Sequence, residues 1–395
     1  MRSFSHIIIV TFSLVFITAC SQSDVDTPID NQEKPLIDVE EEVVENDTEK
    51  PPVYVFFNSH NEDSWGPIVN TKDAYFKYRA DLLERLNLLD EYGAAFHWQT
   101  DITVLLAMQK YEDFEELLDE TNGKNILKYM AEDLGFSVDP HLHPKEDTNY
   151  ADLAYNIELL DVEPSAVIGG SRVFDCSEDP NNPITSIDWH EEIELGSDGV
   201  IKAKSSDYEY TPLYLNGAAS GGHFYDDHSS GVWKPGSDDD FYVNQEDSDI
   251  VYVGEGYPHT SNMSGETHSS GISIPYDGIG YVETLLEKID NGELDSNGIY
   301  TAMFHVRDKE TVNGDGFTVN TNEGLAELLN LLAPYVEEGR VVYAHIPEIV
   351  EIWENEYDSE PTIVSFDTFS ESTEQYKEAF AHCAQLSKKK PKQKL

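Results

Sequence analysis

The sequence predicts an α/β protein built on a parallel sheet, open or closed into a barrel, and interrupted by one large irregular, β-containing insertion. Three observations predict it. Apolar runs of strand length alternate with amphipathic stretches of helix length on both sides of the chain's middle. Nearly every strand run ends in a polar cluster, as parallel β/α folds with function at their strand ends do. Between about 171 and 270 the rhythm gives way to Gly, Asp, Ser, Asn, His and Tyr with no long helix. Hydrophobic residues are 39% and aromatics 11% of the 395, enough for a core, which excludes wholesale disorder.

The first twenty residues, MRSFSHIIIVTFSLVFITAC, form an address. Arg2 supplies a positive start, 7–17 an apolar run too short for a membrane span, and Ile17-Thr18-Ala19-Cys20 a lipobox-like end. The expectation is a signal peptide over 1–19, lipidation of Cys20 and, with Ser21 following, outer-membrane anchoring facing the periplasm or the cell surface. Residues 20–52 read as a disordered acidic tether. The folded domain is expected over 53–357. A helix at 373–386 and the basic tail SKKKPKQKL complete the C-terminal segment 358–395.

Within the body, 53–59 is a buried-strand run after Pro-Pro. Residues 72–92 place Tyr75, Tyr78, Leu82, Leu86 and Leu89 on one helical stripe, and Gly93 suits its end. Residues 94–99 read as a second strand. A helical stretch follows over 102–134, in two pieces broken near Asn122-Gly123. A third strand with its exit loop covers 136–143, a helix 150–160 and a short strand 165–170. After the insertion come a helix at 281–289, a strand at 299–305, a helix at 322–338, a strand at 340–344 and a helix from 346 to 357.

Charge narrows the function. There are 25 Lys+Arg against 77 Asp+Glu, a net −52. Such a field repels phosphate backbones, so nucleic-acid binding is excluded, and it suggests a saline habitat. Cysteines at 20, 176 and 383 cannot make a disulfide framework, although Cys176 and Cys383 could pair in an oxidising envelope.

The strand ends carry the chemistry. They read His60-Asn61-Glu62-Asp63, His97-Trp98-Gln99-Thr100-Asp101, Asp139-Pro140-His141-Leu142-His143, Gly169-Gly170-Ser171-Arg172, His305-Val306-Arg307-Asp308 and, last, His345. In extended chain His141 and His143 point to one face and can reach one metal. Imidazole suits zinc, and a carboxylate from Glu62 or Asp63, or His60, can complete an open catalytic site. A divalent metal, most simply zinc, then activates water for hydrolysis. Glu62 or Asp63 is the candidate base, His305 the candidate acid, and Arg172 a residue to orient the base or grip substrate. Trp98, Gln99 and Asp101 are candidate substrate contacts.

These motifs resemble the NodB-like polysaccharide deacetylases, carbohydrate esterase family 4, and the wider glycoside hydrolase/deacetylase β/α barrels. The matching segments are FFNSHNED (56–63), DPHLHP (139–144), GGSR (169–172) and YTAMFHVRD (300–308). KNILKYMAEDLGFSVDPHLHP resembles the passage into the family's histidine motif, and VVYAHIPEIVEIWE its closing strand and helix. Where that family has Thr-Phe-Asp-Asp-Gly after strand one, this chain has Asn58-Ser59-His60-Asn61-Glu62-Asp63. The resemblance implies an incomplete, distorted β/α barrel of fewer than eight strands. It also implies metal-dependent removal of N- or O-acetyl groups from a carbohydrate.

In the insertion, Tyr225 and Trp233 could stack on sugar rings. His223, Asp227 and His228 read more simply as a polar loop than as a second metal site. Ser237–Asp240 and the Asn-Gly-Asp-Gly run at 313–316 do not complete a calcium loop. Two other functions fit the same sequence: a glycosidase using paired carboxylates without metal, and a glycan-binding surface lipoprotein without catalysis.

Overall fold

The computed structural model describes residues 50–61, 71–142, 147–171, 188–216, 229–237, 240–255, 279–306 and 321–365. The expectations for Cys20, Glu62, Asp63, His143, Arg172, Cys176, Tyr225, Cys383 and the helix at 373–386 lie outside these residues, as do those for the address and tether up to residue 49. Among the described residues no helix is long and apolar enough to cross a membrane.

The fold is mixed α/β around parallel strands. They are β1 (Val53–Asn61), β2 (Phe96–Thr100), β3 (Ser137–Pro140), β4 (Val167–Ile168), β5 (Tyr214–Leu215), β6 (Val251–Val253), β7 (Tyr300–His305) and β8 (Val341–Tyr343). The longer helices are α1 (Lys72–Glu91), α2 (Ile102–Tyr111), α3 (Ile126–Glu132), α4 (Tyr150–Glu158), α5 (Gly280–Asp290), α6 (Asn322–Glu337) and α7 (Ile346–Glu356).

β1 is central to the first sheet. β7 pairs along one edge, Val53 opposite Tyr300 to Asn58 opposite His305. The other edge is shared: β8 pairs with Val53–Val55 and β2 with Phe57–Asn61, and β3 follows on β2. A second sheet runs β4-β5-β6, all parallel, with Val232–Trp233 antiparallel at its edge. The sheets meet along β3 and β4 and again beside β6 and β7. A parallel bridge links His141 to Gly169, and the Met303 N–H donates to the Glu255 carbonyl at 2.8 Å.

Among the described residues the parallel strands fall in two sheets, five in the first and three in the second. β5 and β6 lie inside the expected insertion. Only two and three residues long, they carry too little periodicity to stand out. The long helical stretch also differs. It breaks at Asn122, in the left-handed region at φ 57°, as expected, and again after Tyr111. There the Glu112 carboxylate turns inward to accept from Arg79 Nε and the Ile126 N–H, so the chain folds back as a short helix and a 3-10 turn.

Strand alternation sorts side chains to two faces. Val53, Val55 and Phe57 of β1, with Phe96, Trp98 and Val138, pack against α1, α2, α5 and α6 in the largest core. Tyr54, Phe56, Val167, Val251, Val253 and Met303 form a separate apolar cluster on the opposite face, closed below by Ile346 and Trp353 of α7. The next residues in phase with this second cluster, toward the strand C-termini, are polar.

Candidate active site

That polar tier is the candidate site. In phase with Phe56 come Asn58 and His60. His97 and Gln99 of β2 alternate with core Phe96 and Trp98, and Asp139 and His141 flank the same way around Val138. Asn216, Glu255 and His305 continue β5, β6 and β7. β1, β5, β6 and β7 therefore deliver apolar groups to the lower tier and polar ones to their C-terminal ends. Asn58, His97, Gln99, Asp139, His141, Asn216 and Glu255 are all fully buried.

Three imidazoles meet there. The His60 ring lies 4.1 Å from His141, tilted 30°, and 4.6 Å from His305, edge-on at 62°. Asn58 sits between two of them: its Oδ1 is 3.0 Å from His305 Nδ1 and its Nδ2 3.2 Å from His60 Nε2. Gln99 Oε1 lies 3.0 Å from His141 Nδ1. Two glycines make the room. A Cβ on Gly169 would fall 2.3 Å from Gln99 Oε1, and one on Gly170 2.9 Å from His141 Nε2; Gly170 also adopts φ 84°.

Beneath them is a buried His–Asp pair. His97 Nδ1 donates to Asp139 Oδ2 at 2.8 Å, and the Asp139 Oδ1 accepts from Ser137 and Ser165 hydroxyls at 2.5 and 2.6 Å. The pair looks catalytic, but His97 Nε2 accepts the Ile346 N–H at 3.0 Å. A ring held at both nitrogens by the protein orients its neighbours. His345 packs edge-on against His97, 5.2 Å between centroids. Burial first, then His97, hold its pKa down to about 3, against a smaller opposing pull from Asp139.

The structure thus brings His60, Gln99, His141 and His305 together and separates others. Trp98 is 0% exposed in the helix-facing core, on the opposite face from the histidines, so it is not a substrate contact. Trp233 is also 0% exposed, with Nε1 donating to the Phe241 carbonyl, which corrects the sugar-stacking expectation. Asp101 caps α2: its Oδ1 accepts the Thr103 N–H at 2.8 Å. Sequence reasoning missed Asn58, Asn216 and Glu255 as site residues. The signal available was a polar residue in step beyond a short apolar run, as in LYLN and IVYVGE.

For a divalent metal, neutral imidazole nitrogen backed by a second hydrogen bond is suitable donor chemistry, and His141 on Gln99 has it. Among the described residues no three His, Cys, Asp or Glu side chains form a metal-holding group. A full ligand set would have to draw on Glu62, Asp63 or His143.

No family model matches the chain, and no curated protein matches it. Among solved structures, it is similar to a Mycobacterium smegmatis protein assigned as a polysaccharide deacetylase: 13% identity over 80% of this chain and 94% of that one, TM-score 0.41. It is similar at the same TM-score to Puue allantoinase, at 12% identity over 76% and 90%. A Pseudomonas aeruginosa PAO1 protein assigned as a polysaccharide deacetylase gives 11% over 77% and 92%, again 0.41.

Proposed function

We propose that the protein is a metal-dependent hydrolase acting on carbohydrate at the cell envelope, removing N- or O-acetyl groups. The observation that carries this reading is the cluster of His60, His141 and His305 at the C-terminal ends of parallel strands, above a buried layer of hydrogen-bonding groups. His141 would hold the metal, with the remaining ligands drawn from His60, Glu62, Asp63 and His143. A bound divalent ion supplies a polarised carbonyl and a water of lowered pKa. His305, with Nδ1 3.0 Å from Asn58 Oδ1, would pass a proton to the leaving group. Glu62 or Asp63 would take the proton from water, and Arg172 would orient that base. The eight parallel strands would form a barrel, closing through the His141–Gly169 and Met303–Glu255 contacts.

Glu255 favours a second reading. A carboxylate fully buried at the end of β6, in phase with the histidines, could serve a glycosidase that uses two carboxylates.

Metal analysis of the purified protein beside its His141→Ala/His143→Ala double variant tests the first reading. About one equivalent of zinc or a similar ion, lost in the folded variant, is expected. A folded, metal-free wild type after loading with zinc would sink it and leave the carboxylate reading.

A further inference from the structure

A helix packed under a parallel sheet must place its first N–H groups somewhere, because its first turn has no carbonyls of its own to pair them with. α7 sets Ile346, Ile349, Val350 and Trp353 into the apolar cluster beneath the polar tier. Its leading donors are placed one by one. The His345 N–H goes to Glu348 Oε2 at 2.8 Å, and Pro347 has no N–H to place. The Ile346 N–H, between them, is buried and meets a side chain 249 positions away, His97 Nε2 of β2 at 3.0 Å.

His97 passes this anchor on. A peptide N–H only donates, so Nε2 accepts, and the ring proton sits on Nδ1, which donates to Asp139 Oδ2 at 2.8 Å. Asp139 is fully buried and gathers β3 and the residues leading into β4: its Oδ1 accepts from the Ser137 hydroxyl at 2.5 Å and the Ser165 hydroxyl at 2.6 Å. The last link is Gln99. Its Nε2 lies 3.5 Å from Asp139 Oδ2, a long hydrogen bond, and its Oε1 lies 3.0 Å from His141 Nδ1. Gly169 backs the amide closely, since a Cβ there would stand 2.3 Å from Gln99 Oε1. The start of α7, β2, β3 and the approach to β4 thus meet at one carboxylate.

We infer that the N-terminus of α7 belongs to the frame of the candidate site. Its Ile346 N–H holds His97, and His97 with Asp139 holds the Gln99 amide that borders His141. His97, Asp139 and Gln99 are positioning residues. Both His97 nitrogens are engaged by the chain, so the His97–Asp139 pair sets geometry and takes no proton from a substrate. A displacement of α7 reaches the polar tier through these bonds. The inference concerns how the chain's own residues are held, so it stands or falls apart from the proposed hydrolase.

The test is nuclear magnetic resonance of the ¹⁵N,²H-labelled full-length protein without added metal, in wild type and three variants. His97→Phe keeps a ring and removes both nitrogens. His97→Gln offers one donor and one acceptor on a single amide, as the ring does. Ile349→Val trims the buried face of α7 mildly enough to fold. In wild type a coupling through the hydrogen bond is expected between the Ile346 amide nitrogen and His97 Nε2. In His97→Phe the Gln99 side-chain amide and His141 ring signals should move, and in His97→Gln they should return toward their wild-type positions. In Ile349→Val the Ile346 amide and the Gln99 side-chain amide should shift together. A wild type without the coupling overturns the inference whatever the variants do. So does a folded His97→Phe with unmoved Gln99 signals, or a His97→Gln that leaves them as displaced as phenylalanine does. If His97→Phe does not fold, Ile349→Val decides: Gln99 signals that stay in place there overturn the inference.

Discussion

Gly169→Ala isolates the space around His141. Gly169 has an ordinary backbone conformation, so alanine meets no conformational penalty there and only volume is tested. The added Cβ would stand 2.3 Å from Gln99 Oε1 and 2.8 Å from His141 Nδ1, where ordinary contact begins at 3.4 Å. Gln99 must retreat by about 1 Å, which breaks its 3.0 Å bond to His141. Overpacking of this kind costs about 1–3 kcal/mol. Urea denaturation should therefore show a lower midpoint with an unchanged slope, and the His141 ring signals should move while those of His60 do not. An alanine variant within about 0.5 kcal/mol of wild type with unaltered His141 signals would refute the close packing described here.

Three further outcomes follow from the same structure. Arg79 is fully buried, with Nε on Glu112 at 3.0 Å and a second nitrogen on the Leu117 carbonyl at 2.7 Å; Tyr75 donates to the same carboxylate. Arg79→Leu strands a carboxylate whose pKa burial already raises against the pull of Arg79, and should cost about 3–5 kcal/mol by denaturation. Adding Glu112→Leu should recover part of that loss. His345 binds its proton only near pH 3 when folded but near 6.5 when unfolded, so the unfolded chain takes up more protons between those values and stability falls as pH drops through that window. The loss from pH 7 to 5 should be roughly 1–2 kcal/mol and should shrink in His345→Phe; equal pH slopes would contradict it. Trp233→Ala should destabilise by about 3–5 kcal/mol, as for a core residue, whereas a surface sugar contact would leave the melt unchanged.

The long elements were legible because their residues obey one period at a time. Lys72–Glu91 keeps Tyr75, Tyr78, Leu82, Leu86 and Leu89 on one buried stripe, and 300–304 is a continuous buried run beside another at 53–59. The polar ends at His60, Gln99, His141 and His305 were legible for a related reason: polar groups directly after such runs have few places to go except the sheet's C-terminal edge. What escaped were features set by contacts distant in sequence. β5 and β6 take their partners from the sheet rather than from local propensity. Trp98 and Trp233 look like ligand platforms in a string of letters, yet strand phase and packing bury both. Asn58 gains its importance only when folding sets His305, 247 positions away, across from it.

The most direct test of the proposed activity is acetate release from acetylated oligosaccharides, with the metal-loaded protein compared with His141→Ala and His305→Ala. Turnover that vanishes in both folded variants, and that chelation abolishes and metal restores, is the result expected. Turnover unaffected by chelation or by the loss of either histidine would contradict a metal-dependent site at the strand ends.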